Sequence, residues 1–316
     1  MSTPENSPIV ESNISSYEAV APAQAGSVSS VVAPDPNNPP WGILAASLTW
    51  LASILFLFLM NALIVIPYAL QHSGDMDNDA LRQFLLTDKT AILLQIFSIV
   101  PAHLLTLGLG WAVVTRLGQR PFWKSLGWSW SRNFGLWKSL GLVVVLLLGG
   151  RVLIQLIGGK ETLMDQIVTS SMAARYMTAF LATFTAPLTE ELIYRGLLYS
   201  ALLGWFTRIN AQRGVPHPQV TGAISAVAGV SLLFLLVHVP QYWPNFGVII
   251  VIGLLSLSLT VIRAYTGRLL PCFIIHTVFN GLSAIAIVLE PYFNHSSSEQ
   301  KAAAVACLAR SLGMLV

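Results

Sequence analysis

The chain has 316 residues, 54% of them hydrophobic and only 10% charged, with a mean hydropathy of +0.68. A soluble domain carries roughly a quarter charged residues, so the composition excludes an ordinary water-soluble enzyme and reads as an integral membrane protein. The net charge of +3 is small and its basic residues are scattered through loops, which argues against a nucleic-acid partner; Cys272 and Cys307 make neither a disulfide framework nor a metal-binding pattern.

Residues 1–40 are rich in Ser, Pro, Ala and Asn, hold four acids and contain no Lys or Arg. Such a segment buries too little apolar surface to fold and lacks the basic start and apolar core of a signal peptide, so a disordered tail is expected there. The remainder, 41–316, reads as one transmembrane helical domain.

Crossing the ~30 Å hydrocarbon layer takes about 20 mostly apolar residues in a helix. Runs of that kind fall near 42–70, 91–115, 134–158, 174–206, 219–239, 246–264 and 269–290. The predicted fold is therefore an all-α, polytopic bundle of seven to eight helices, the eighth allowed by the short, charged carboxyl-terminal KAAAVACLARSLGMLV.

An acidic loop with Asp75, Asp77, Asp79 and Asp88 follows the first span. After the second comes RLGQRPFWKSLGWSWSRNFGLWKS, whose five basic residues and four tryptophans form the pairing a membrane interface attracts. Counted on alternating sides, Lys and Arg favour a cytoplasmic amino terminus, and short loops without organelle signals fit a bacterial inner membrane.

Against this apolar background the fourth span contains TEELIYRG, with Glu190, Glu191 and Arg195 inside six residues. A charge at the centre of a membrane helix costs roughly 2.5 to 3.5 kcal/mol on insertion scales, so all three need partners. Glu191 and Arg195, four apart with the acid first, have the favourable order for a helical ion pair. Glu190 points about 100° away, toward Pro187, Tyr194 and Leu197, and needs a partner from another helix.

Few candidates exist. His238 sits in LLFLLVHVPQYW, and His276 in PCFIIHTVFNGLSAI with Asn280 four residues on, hence on the same helical face. An acid, two histidines and an amide on three apolar helices outline a catalytic constellation, because ionisable groups at membrane depth mark sites by default. His103 in IVPAHLL is set aside as a helix-packing contact, and Asn61 as a bond across helices. Straight helices with these bounds do not bring Glu190, His238 and His276 to one depth, which requires breaks near Pro187, Pro240 and Pro271 or shifted boundaries.

EELIYR fits EExxxR, FLLVH fits FxxxH and HTVFN fits HxxxN, in the order that resembles the CPBP intramembrane proteases, the group that includes the type II CAAX prenyl endopeptidases. APLTEELIYRGLL and RAYTGRLLPCFIIHTVFN add to the likeness, which covers about 120–290. The resemblance implies that Glu190 is the general base and holds a water with His238. It also implies that His276 and Asn280 donate to the oxyanion, and that Glu191 and Arg195 form a supporting pair. It further implies no cofactor, a membrane-associated or lipidated peptide as substrate, and the bilayer itself as partner.

Two other readings stay open. Glu190, His238 and His276 could be zinc ligands, since two His and a Glu with an open position form a known catalytic set, although HExxH is absent. Alternatively the polar cluster only holds together a scaffold, immunity protein or transporter, although the halves show none of the self-similarity of transporters. Substrate specificity and oligomeric state are not written in the sequence.

Overall fold

A computed structural model describes residues 35–294, except residue 75. Among the described residues, regular secondary structure is helical throughout. Helix α1 (Ile43–Ser73) leads through a short α2 (Asn78–Thr87) to α3 (Lys89–Thr115). A single turn, α4 (Phe122–Ser125), precedes α5 (Leu136–Ile157), and the short α6 (Leu163–Thr169) follows.

The chain then enters one continuous helical run. It consists of α7 (Met172–Phe180), a π-helical turn Leu181–Thr185, α8 (Ala186–Glu190), a longer π-helical stretch Glu191–Leu198, and α9 (Tyr199–Gln212). Three long helices complete the bundle: α10 (Pro218–Tyr242), α11 (Phe246–Thr266) and α12 (Leu270–Asn294).

Six helices are long and apolar enough to cross a membrane, namely α1, α3, α5, α10, α11 and α12. Their outward faces are large and apolar, as Leu44, Leu55 and Phe58 of α1 illustrate, each more than 60% exposed. Such surface is stable only against lipid, and helices satisfy their own backbone groups there. The chain is a multi-pass membrane protein. Its remaining long run, Met172–Gln212, is interrupted by π turns, which divide it into pieces too short to count as single spans.

Two expected boundaries shift. Within the expected acidic loop, Asn78–Thr87 form the helix α2, with Asp77 capping its start by accepting from the Ala80 amide and Asp88 capping α3 by accepting from the Ala91 amide. Capping by Asp explains why the acids cluster there. Residues 35–40, read from composition as part of the tail, are held against the bundle: the Pro36 and Pro40 carbonyls accept from arginines. Residues 1–34 and the possible eighth helix lie outside the described residues.

Helix contacts are made by small residues at every fourth position. In α3, Ser98, Ala102, Thr106 and Gly110 are buried in one stripe; in α10, Gly222, Ala226 and Val230 are. Small side chains let backbones approach where no hydrophobic force joins helices in lipid. A Cβ on Gly110 would stand 2.6 Å from Leu192 Cδ2, and one on Gly222 would stand 2.9 Å from the Thr207 amide nitrogen. The largest core cluster surrounds the π-helical stretch Glu191–Leu198, whose eight residues are all buried.

The depth problem is resolved by the length of the run. From Met172 to Gln212 it holds 41 residues, about 60 Å of helix and twice the apolar thickness. Glu190 lies 22 residues before the end of α9, and His238 lies 20 residues after the start of α10. An antiparallel hairpin with those arms puts the two side by side. The expected span ended at 206, too early, which made His238 look misplaced.

Candidate active site

Glu190 ends α8, between the two π-helical stretches. In each, backbone pairing runs five residues back: the Ala186 amide bonds the Leu181 carbonyl, and the Tyr199 amide bonds the Tyr194 carbonyl. An extra residue per turn rotates everything that follows, and π turns are frequent at functional sites. Here the rotation aims neighbouring side chains at three different helices.

The Glu190 carboxylate is partly exposed, 23% by its side chain, and faces two imidazoles. Oε1 lies 3.9 Å from His238 Nε2, and Oε2 lies 3.7 Å from His276 Nε2. Both separations exceed hydrogen-bond length, so the three groups converge without closing on each other.

Each histidine is oriented through its other nitrogen. His238 Nδ1 is 2.7 Å from the Phe234 carbonyl, an acceptor only, so Nδ1 carries the proton and Nε2 faces Glu190 with its lone pair when the ring is neutral. The Phe234 ring stacks on His238 at 4.3 Å between centroids. His276 Nδ1 is 2.8 Å from Glu191 Oε1, so the same reasoning protonates Nδ1 there and leaves Nε2 toward Glu190.

Glu191 and Arg195 are fully buried. Glu191 Oε1 accepts from both His276 and Arg195, whose Nη1 is 3.0 Å away. Arg195 also donates from Nε to Thr260 Oγ1 at 3.2 Å and from Nη2 to the Ser256 carbonyl and hydroxyl at 3.0 and 2.8 Å. Its guanidinium lies 4.6 Å from the centre of the Phe234 ring. A buried charge survives only when paired and hydrogen-bonded, and every nitrogen of Arg195 is occupied.

Asn280 is one helical turn beyond His276 on α12. Its Nδ2 donates to the Ala182 carbonyl at 2.9 Å, inside the first π turn, which leaves its second amide hydrogen uncommitted. All six residues singled out from the sequence thus take part in one connected cluster or, in the case of Asn280, bond the turn that leads to it. His103 donates to or accepts from Thr185 Oγ1 at 3.0 Å and packs α3 onto the run.

Several members of the cluster carried no signal in the sequence. Ser256 and Thr260 are ordinary small polar residues of an apolar helix and gain meaning only by facing Arg195. Tyr194, one turn beyond Glu190, receives a hydrogen bond from Trp50 Nε1 at 3.1 Å, so its own hydroxyl proton is free to donate. Arg263, at the end of the span expected over 246–264, is fully buried.

Each oxygen of Glu190 faces a different imidazole. Among the described residues no group of three His, Cys, Asp or Glu side chains is arranged to hold a metal ion.

Residues 172–282 match the family model of the type II CAAX prenyl endopeptidase Rce1-like proteins, which is the family the sequence motifs resemble. No curated protein and no solved structure matches the chain. The matched segment runs from the start of α7 into α12 and contains Glu190, Glu191, Arg195, His238, His276 and Asn280.

Proposed function

We propose that this multi-pass membrane protein, with a type II CAAX prenyl endopeptidase-like segment at its centre, is an intramembrane endopeptidase that hydrolyses membrane-associated or lipidated peptides with Glu190 as its base. The observation that carries this reading is the Glu190 carboxylate facing two imidazole Nε2 atoms at 3.7 and 3.9 Å. A polar separation beyond about 3.5 Å is one at which a bridging water can take part.

In the proposed reaction Glu190 Oε1 and His238 Nε2 hold the attacking water. Glu190 removes its proton as the oxygen adds to the scissile carbonyl, and then delivers that proton to the leaving amine, so one carboxylate serves as base and acid in turn. As oxyanion donor His276 needs a proton on Nε2 in addition to the one on Nδ1 that it donates to Glu191, so in this reading the reacting ring is the imidazolium. The free amide hydrogen of Asn280 is the second donor.

Donors fixed in a dry site stabilise developing charge without reorganising, typically by about 3 to 4 kcal/mol for one oxyanion donor.

Glu190→Gln tests the reading, since the amide keeps the shape and removes the base. With purified protein in nanodiscs and a quenched fluorescent prenylated CAAX peptide, cleavage is expected to fall at least about a hundredfold with unchanged thermal stability. Undiminished cleavage by the variant would overturn the proposal. Absence of cleavage by the native chain would favour a scaffold.

A further inference from the structure

Arg263 of α11 is enclosed completely, yet among the described residues no carboxylate lies within ion-pair distance of it. Its donors go elsewhere. Nε bonds the Arg195 carbonyl at 3.1 Å, Nη1 bonds Asn37 Oδ1 at 2.7 Å, and Nη2 bonds the Pro36 carbonyl at 2.8 Å. The guanidinium also lies 5.3 Å from the centre of the Tyr199 ring.

The seat for Pro36 and Asn37 is built by two glycines in left-handed conformations, Gly127 at φ +70° and Gly267 at φ +65°. A Cβ on Gly127 would stand 3.0 Å from Pro36 Cγ, and one on Gly267 would stand 3.1 Å from Asn37 Nδ2. Arg116 fastens the segment further through the Pro40 carbonyl at 2.9 Å.

Beyond this seat the same segment reaches the π-helical stretch twice more. Trp41 Nε1 donates to the Leu197 carbonyl at 3.3 Å, and Trp50 Nε1 to the Tyr194 hydroxyl at 3.1 Å. Tyr194, Arg195 and Leu197 therefore all receive donors that trace to residues 36–50, directly or through Arg263. Residues 36–50 lie outside the family-matched segment 172–282.

We infer that the segment Pro36–Trp50, acting through Arg263, is a strap that positions the Glu190 centre by holding the stretch Glu191–Leu198 in its π-helical form. This rests on the proposed function for its catalytic consequence, but not for the structural coupling. π-Helix is rare and occurs mostly as single-turn bulges, so an eight-residue stretch flanked by α-helix is one whose form depends on the neighbours that bond it. Releasing the strap removes two of the three acceptors of a buried guanidinium, which must then move toward water. The Arg195 backbone moves with it, and the Arg195–Glu191–His276 chain of bonds carries the displacement to the Nε2 that faces Glu190.

The experiment uses the full chain in nanodiscs and compares native protein with Asn37→Ala, Asn37→Asp and Trp41→Phe. Two quantities are read: amide hydrogen exchange over Glu191–Leu198, and kcat and KM for the prenylated CAAX peptide. In Asn37→Ala and Trp41→Phe, exchange over the stretch is expected to rise about tenfold while α5 stays as in the native protein. In parallel kcat falls about tenfold, with KM within about twofold.

Asn37→Asp keeps an acceptor for Arg263 and restores both quantities. Unchanged exchange in Asn37→Ala, or a rise in exchange without loss of kcat, overturns the strap as a positioning element. If the native chain does not cut the peptide, the proposed function fails, and the exchange comparison still decides whether the strap holds the π stretch.

Discussion

His276 and Glu191 are joined by a 2.8 Å contact between Nδ1 and Oε1, across 85 residues of chain and with neither group significantly exposed. The same carboxylate oxygen takes the Arg195 guanidinium at 3.0 Å. Glu191 is thus the hinge of the site: it sets the protonation of one histidine and neutralises one buried cation, while its neighbour Glu190 stays available to solvent.

Removing one member of this pair should be costly. Arg195→Met leaves Glu191 buried without its main counter-charge and is expected to destabilise the fold by about 3 to 5 kcal/mol, whereas Arg195→Met combined with Glu191→Leu should recover much of the loss. Thermal unfolding in detergent of the two single variants and the double one gives the coupling directly. Additive losses would show that the pair is not the unit described.

His238 presents a lone pair whose direction depends on the bond from Nδ1 to the Phe234 carbonyl. His238→Phe keeps the ring stack and removes both nitrogens, and should lower kcat/KM roughly 10² to 10⁴-fold with little change in stability. Peptide cleavage and thermal unfolding on the same preparation separate the two effects.

Gly222 sits where α9 and α10 are in close contact: its Cβ position is 2.6 Å from Thr207 Oγ1 and 2.9 Å from the Thr207 amide nitrogen. Gly222→Ala must push the helices apart, at a cost of about 1 to 3 kcal/mol. The hairpin that brings His238 level with Glu190 then loosens. Reduced thermal stability together with reduced cleavage is expected, and a fully stable alanine variant would contradict the packing.

Metal removal offers a test of the base. Incubating active protein with 1,10-phenanthroline should leave peptide cleavage unchanged, since the proposed base is the Glu190 carboxylate and, among the described residues, no group of three His, Cys, Asp or Glu side chains is arranged to hold a metal ion. Loss of activity that added zinc restores would replace the carboxylate-base chemistry with that of a metal.

Asp88 supplies a pH dependence away from the site. The Ala91 amide, followed by the Tyr68 hydroxyl at 3.0 Å, holds its carboxyl below the ordinary value of 3.8, against the opposing effect of partial burial. A pKa lower in the folded than in the unfolded state stabilises the fold above the unfolded value and loses that contribution as pH falls through the folded one. Asp88→Ala should therefore cost about 1 kcal/mol of cap energy near neutrality and lose part of that difference below pH ~4. Unfolding followed at pH 7 and pH 3 checks the sign.

Much of the site was legible because charge is rare here. In a chain with 10% charged residues, an acid or histidine inside an apolar run stands out, and its need for a partner follows from desolvation alone. Glu190, Glu191, Arg195, His238, His276 and Asn280 could be named from that need, and the helical spacing of Glu191 and Arg195 predicted their contact. The α2 helix escaped because the acids around it read as a loop, although Asp77 and Asp88 are helix caps.

Other features have no signature along the chain. A π turn differs from an α turn by which amide pairs with which carbonyl, a choice made by neighbours and not by residue type, so the two π stretches around Glu190 were invisible. Arg263 and Asn37 are separated by 226 positions, and nothing local marks either as the other's partner.

The amino-acid order by itself determined that this is a membrane-spanning helical protein with a handful of polar groups obliged to find each other, because lipid leaves such groups no alternative. Only the packed bundle decided which nitrogen of each histidine faces Glu190, how far the α9–α10 hairpin extends, and that the segment at 36–50 clasps the helix behind the site. Those outcomes depend on distances between distant segments, and distance in space is the one quantity that spacing along a chain does not encode.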